Sequence, residues 1–225
     1  STPSATVPAG AKKIGETTID AKGPGKYTAS IPYTGEAGYV VWVWSLDPVN
    51  QPKIAEADKH MIAGPAWADK FGLKDETTTI KDFQPILTSS TEGADSKVVA
   101  PGTTTIKDEL KVVADPSYKW TDWLGVGAKL PTDPGYKPLP VKFKGTAYEV
   151  GERPIAQQGT VTAGAKKVAE TSFVANGPGT YTAEAKYSGD PAFVTWVWEV
   201  DKKDQPQLSA SELQMIHSDW KDGYG

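Results

Sequence analysis

The chain has two histidines, His60 and His217, and no cysteine. Neither histidine sits in a metal-ligand spacing such as His-Glu-x-x-His. Both therefore read as ordinary surface residues. No serine and histidine stand in a pattern that would make the histidine its base, so a serine triad is not indicated. Without cysteine there is neither a disulfide nor a thiolate metal site. Asp201 with Asp204, or Asp47 alone, carries enough charge to touch a calcium ion. Their spacing is not that of an EF-hand loop, and they read as solvated loop residues. Gly125-Val126-Gly127 is too short and isolated to cradle a phosphate. Eight tryptophans remain as the notable groups. Trp120 and Trp123, in the polar segment Lys119–Trp123, are the ligand-binding candidates, because an exposed indole face is a platform on which a sugar ring can stack. No catalytic residue, metal or cofactor is expected.

The elements that would position such groups are organised around one stretch. Tyr39-Val40-Val41-Trp42-Val43-Trp44-Ser45-Leu46-Asp47 returns as Phe193-Val194-Thr195-Trp196-Val197-Trp198-Glu199-Val200-Asp201. A strand sends alternate side chains to opposite faces. One face is then Val40, Trp42, Trp44 and Leu46, matched by Val194, Trp196, Trp198 and Val200. That face is wholly apolar in both copies, so each stretch is expected to be a central strand that turns two indoles into a core.

The duplication is wider than this strand. Thr6–Lys13 matches Thr160–Lys167, Gly23–Ala29 matches Gly177–Ala183, Gln51-Pro52 matches Gln205-Pro206, and Met61-Ile62 matches Met215-Ile216, all at a constant offset of 154. After a one-residue gap Trp67 pairs with Trp220 and Phe71 with Tyr224. Residues 73–225 then form one complete unit, with a core over about 76–203 and a linker over 204–225. Residues 1–72 are the C-terminal half of the unit before it, or else a small β domain. Ser1–Val7 reads as a processed or engineered start, which marks a fragment of something longer.

Abundant glycine (22) and proline (18), with frequent threonine, favour short strands and turns over helices. Periodicity predicts strands at Thr79–Thr88, Lys97–Ala100, Asp108–Ala114, Pro140–Val150, Thr160–Lys166, Lys167–Val174, Thr180–Tyr187 and Phe193–Asp201, with a hairpin turn at Gly177-Pro178-Gly179. Only Gln205–Lys221 has helical spacing, with Ser209 or Ser211 as its cap. The fold class expected is all-β: tandem antiparallel Ig-like β-sandwich modules with a short helical or irregular linker. A net charge of −4 provides no footprint for nucleic acid, and no apolar run is long enough to span a membrane.

Four segments, Phe83-Gln84-Pro85-Ile86-Leu87-Thr88, Gly145-Thr146-Ala147-Tyr148, Gly177–Thr182 and Trp196–Asp201 followed by Gln205-Pro206, resemble the repeat modules of sortase-anchored surface proteins of Gram-positive bacteria, especially actinobacteria. The resemblance implies an extracellular, cell-wall-anchored stalk or adhesin module without enzymatic turnover. Its partners would be neighbouring repeats of the same protein and a host or environmental surface ligand. A glycan-binding module using Trp120 and Trp123 is the alternative.

Some modules of that kind join a first-strand Thr to a Gln beyond the last strand by an ester, and others join Lys to Asn or Asp by an isopeptide. The resemblance makes Thr88 and Gln205 the crosslink candidates, with Asp108, Glu149, Asp201 and Asp204 as the assisting acids. A hydroxyl held against a carboxamide gains greatly from fixed geometry, and a carboxyl kept protonated by an apolar site could polarise the amide as ammonia leaves. The ester-forming modules carry a histidine shortly before the glutamine, where this chain has Trp198 and Val200. Gln51, in a half-unit without a first strand, could not form the same bond. Half a sandwich leaves apolar faces and a strand edge exposed. Residues 1–72 are therefore expected to pack on the full unit or to self-associate with another molecule.

Overall fold

The structure, a computed structural model, describes residues 3–62, 64–90, 102–152, 161–190 and 192–223. In chain order its strands are β1 (Gly38–Val41), β2 (Ser45–Leu46), β3 (Trp67–Ala68), β4 (Thr77–Ile80), β5 (Pro85–Ser90), β6 (Gly102–Ala114), β7 (Val141–Val150), β8 (Lys166–Ala175), β9 (Gly179–Gly189), β10 (Phe193–Val200) and β11 (Trp220–Lys221). Apart from short 3-10 turns, helix is confined to one turn, α1 (Ala210–Leu213), among the described residues. The fold is mostly β and its strand pairs are antiparallel. The strand expected at Lys97–Ala100 lies outside the described residues. The chain divides into two compact units, residues 1–80 and 81–225.

In the second unit, β5-β6-β9 form a three-stranded sheet and β11-β10-β7-β8 a four-stranded one. A single core draws on both: Leu87, Leu110, Val112 and Ala183 from the first, and Phe143, Ala147, Ala175, Trp196 and Trp198 from the second. The alternation along β7 shows why. Val141, Phe143, Gly145 and Ala147 are buried, while Lys142, Lys144 and Thr146 between them are partly exposed. Trp198 lies across from Gly145 and Trp196 across from Ala147, so the two largest side chains face two of the smallest. A Cβ on Gly145 would sit 2.5 Å from the Trp198 ring. The indoles stack with centroids 5.5 Å apart, and Phe173 meets Trp198 edge-on at 5.7 Å.

Several expectations are corrected here. Gly177 does not close a hairpin, because β8 belongs to one sheet and β9 to the other. Its positive φ (+114°) and the approach of Pro138, 2.9 Å from where a Cβ would lie, make it the point where the chain changes sheets. The strand expected over Thr79–Thr88 is interrupted between β4 and β5, where Phe83 bonds instead to Met215 and His217. The helix expected over Gln205–Lys221 shrinks to α1, whose capping box joins Ser209 and Glu212. The stretch expected to be a linker is part of the fold: Gln205 and Ile216 are buried and β11 pairs with β10.

The first unit repeats the local geometry of the second without its core. Trp42 and Trp44 stack at 5.5 Å. Tyr27 donates to the Gly23 carbonyl as Tyr181 does to Gly177. Gln51 donates to the Asp47 carbonyl as Gln205 does to Asp201. β2 pairs with β3 as β10 pairs with β11. Yet none of its described residues is buried. Residues 12–35, the counterparts of β8 and β9, form no strand.

Gly145→Ala is expected to force the Trp198 ring aside and cost about 1–3 kcal/mol, the usual range for overpacking. A urea titration with its midpoint lowered and its slope unchanged would match this. An unaltered midpoint would show that the close approach is not a constraint.

Candidate functional site

The most chemically distinctive group in the second unit is Asp108. It lies on β6 in register with Ala183 and is 1% exposed. Its Oδ2 accepts from Trp198 Nε1 at 2.8 Å, so a carboxyl of one sheet is bonded to an indole of the other. Loss of water pushes the Asp108 pKa up to about 6; the Trp198 N–H opposes the rise and the nearby Asp222 adds to it. Asp222 is itself raised by burial, against the pull of the Gly223 N–H. This is an acid that is largely protonated only below about pH 5, and no nucleophile or leaving group is bonded to it among the described residues.

The crosslink candidates are not brought together. Thr88 is exposed, on the face of β5 opposite the buried Pro85 and Leu87. Gln205 is buried beyond the end of β10, with its carboxamide engaged elsewhere. Oε1 accepts from Lys142 N at 2.8 Å and from Gln207 Nε2 at 3.0 Å. Nε2 donates to the carbonyls of Lys142 (2.9 Å) and Asp201 (3.0 Å). In effect it caps the start of β7 as a further residue of a strand would. The other acids proposed to assist are dispersed. Glu149 accepts from Tyr187 at 2.9 Å, Asp204 pairs with Lys142 at 2.9 Å, and the Asp201 carboxylate receives Lys203 N at 2.8 Å.

The two stacking candidates also separate. Trp123 is 2% exposed, packs on Phe83 at 4.9 Å and donates to the Leu139 carbonyl at 2.9 Å, so it is a core residue rather than a platform. Trp120 is half-buried, with the ammonium groups of Lys119 and Lys81 4.7 and 5.2 Å from its ring centroid. The Trp120 ring is therefore engaged in cation–π contact with two lysines.

A cluster that sequence reasoning missed joins the two ends of this unit. Asp82 Oδ2 and His217 Nδ1 are 2.9 Å apart. Tyr118 donates to Asp82 Oδ1 at 2.8 Å and lies 2.9 Å from the same histidine nitrogen. Beside it, Ser218 donates to Gln84 Oε1 at 2.6 Å, and Gln84 Nε2 donates to the Ser218 carbonyl at 3.3 Å. His217 is thus no ordinary surface residue. Asp82 and His217 lie too far apart in sequence for any spacing rule to pair them. Among the described residues no group of three or more His, Cys, Asp or Glu is placed to hold a metal.

For Asp108, the folded pKa lies above the unfolded value of 3.8. The protonated form is therefore favoured by folding, and stability is lost as pH rises through about 6, on the order of 2–3 kcal/mol in all. Glu170 acts in the opposite sense at lower pH, since Lys144 and then Lys167 hold it at about 2. Asp108→Asn keeps an acceptor for the indole N–H, so it should flatten the loss of stability between pH 3.8 and about 6 and equal or exceed the parent chain at about pH 8. Asp108→Ala leaves a cavity and an orphaned N–H, and should cost about 2–4 kcal/mol. Urea midpoints measured across pH check both. An Asn variant with the same pH slope as the parent would remove Asp108 as the titrating group.

The chain matches no family model, no curated protein and no solved structure.

Proposed function

We propose that this chain is a non-catalytic, load-bearing module of a repetitive bacterial surface protein, built as Ig-like β-sandwich units in tandem and acting as a stalk. The observation that supports this is how the ends of the second unit are tied. Phe83 and Ile216 form a parallel bridge, in which Phe83 N donates to Met215 O at 2.8 Å and His217 N to Phe83 O at 2.9 Å. The Asp82–His217 pair and the reciprocal Gln84–Ser218 bonds flank it. Two segments that run parallel near opposite ends of a unit slide past each other when those ends are pulled apart. Their hydrogen bonds then share the load rather than breaking one by one. The Lys202 ammonium, donating to the Ile216 carbonyl at 2.5 Å, anchors the C-terminal segment to the end of β10.

A covalent crosslink is not needed for this role. Gln205 acts as a hydrogen-bonded clamp, and its free carboxamide holds β7 and the end of β10 together. The tandem repeat and the sequence resemblance are what support placing such a module at the cell surface.

Two measurements test the proposal. Intact mass should equal the sequence mass; a deficit of one ammonia that Thr88→Ala abolishes would reinstate the ester. Pulled by its ends in a single-molecule instrument, the second unit should resist as one event. His217→Ala with Ser218→Ala should lower the unfolding force while changing equilibrium stability by only about 1–2 kcal/mol, the worth of a few partly exposed hydrogen bonds. An unfolding force unchanged in that double variant would overturn the load-bearing assignment.

A further inference from the structure

We infer that residues 1–72 are an acceptor half-module, and that the open edge of the stretch running from β1 through Trp42 and Trp44 to β2 takes a segment of the same sequence type as residues 81–150, the front half of another repeat. The inference rests on the internal duplication and does not depend on the stalk assignment.

In an extended strand, residues two apart present their N–H and C=O groups to the same edge. Trp198 O accepts from Asp222 N, which places even-numbered positions of β10 toward β11 and odd-numbered positions toward β7. In the first unit Trp44 O accepts from Asp69 N at 2.8 Å and Trp42 N donates to Glu76 O at 2.8 Å. Both even positions are thus satisfied along the edge that carries β3 and β4. The opposite edge, where β7 lies in the second unit, holds no strand among the described residues.

The cost of the missing neighbour appears residue by residue. Val197, Trp198 and Val200 are 4%, 0% and 1% exposed. Of their counterparts, Trp44 is half-buried, and Val43 and Leu46 are 39% and 43% exposed. The Trp198 N–H meets a buried carboxylate from β6, whereas Trp44 reaches Glu76 at 3.2 Å. Residues 12–35 lack strands because the neighbours of β8 and β9 are β7 and β6, both from the front half of a repeat.

The second unit also specifies the occupant. Shifted by the 154-residue offset, the β10–β7 register sets Val150 against Tyr39, Ala147 against Trp42 and Gly145 against Trp44. Only a glycine opposite Trp44 and a small residue opposite Trp42 leave room for the stacked indoles. Lys144 completes the match. It pairs with Glu170 at 2.5 Å, and the counterpart of Glu170 is Glu16, which already pairs with Lys13 as Glu170 does with Lys167. An unrelated apolar strand would satisfy neither requirement. The corresponding segment of a second whole copy is already paired with its own β10.

The test is amide exchange on the full chain and on the same chain carrying a duplicate of residues 73–154 ahead of Ser1. In the extended chain the amides of Val41, Val43 and Ser45 should slow by about 100-fold or more. A Gly145→Val change confined to the duplicate should return them to the rates of the parent chain. Added in trans to the 225-residue chain, a synthetic peptide of residues 140–150 should protect the same amides, and its glycine-to-valine version should not. The inference is overturned if neither the duplicate nor the peptide slows these amides, or if the valine versions protect equally. It is also overturned if the parent chain alone protects them in proportion to its concentration, which would make a second whole copy the occupant.

Discussion

The second unit depends on the burial of one indole. Trp198 has no exposed surface, and its place is defined from three directions: Gly145 across the strand pair, Trp196 and Phe173 against its faces and edge, and Asp108 at its N–H. An indole buried this deeply must have its single donor satisfied. The acceptor supplied is a carboxyl from the other sheet. That one bond fixes how the two sheets are placed against each other, which apolar contacts alone would leave less strictly defined. The protein accepts a desolvated acid in its core in return, and its stability consequently becomes sensitive to pH between 3.8 and about 6.

The same constraint explains the contrast between the two copies of the repeat. Short-range features survive in the first copy, including the stacked indoles, the tyrosine bonded back to its Gly-Pro-Gly turn, and the glutamine bonded to the aspartate carbonyl. Each needs only residues nearby in sequence. Burial does not survive, because it needs strands from a segment that lies more than forty residues away in the complete copy. The first copy has its local geometry but not its hydrophobic stabilisation, since the apolar face of a sheet is buried only by another layer.

Much of the fold was legible because strand periodicity is a strong signal where one face is buried. The alternation of Val141, Phe143 and Gly145 with lysines and the second tryptophan stretch, β10, lie where their patterns indicated. The first copy does not: it is broken into β1 and β2 on either side of Trp42–Trp44, and it buries neither indole. The site was less legible. Thr88 and Gln205 fit the arrangement that the sequence resemblance implies, but Thr88 turns outward because Pro85 and Leu87 take the inner face of β5. Trp123 sits among polar neighbours and is nonetheless buried, because Phe83 and the Leu139 carbonyl receive it from distant parts of the chain. His217 looked unremarkable beside its own neighbours and acquires partners only when residue 82 is brought to it.

The sequence by itself determined the repeat, its offset, the mostly β character and the inward face of β10, since each follows from the order and period of side chains along the backbone. Tertiary structure alone decided that Gly177 joins two sheets, that Asp108 is the acceptor for a buried indole, and that residues 82–84 bind residues 215–218. Those are pairings between groups distant in sequence. They are selected by which contacts remove apolar surface from water while leaving no buried donor unpaired, a condition that exists only once the sheets have met.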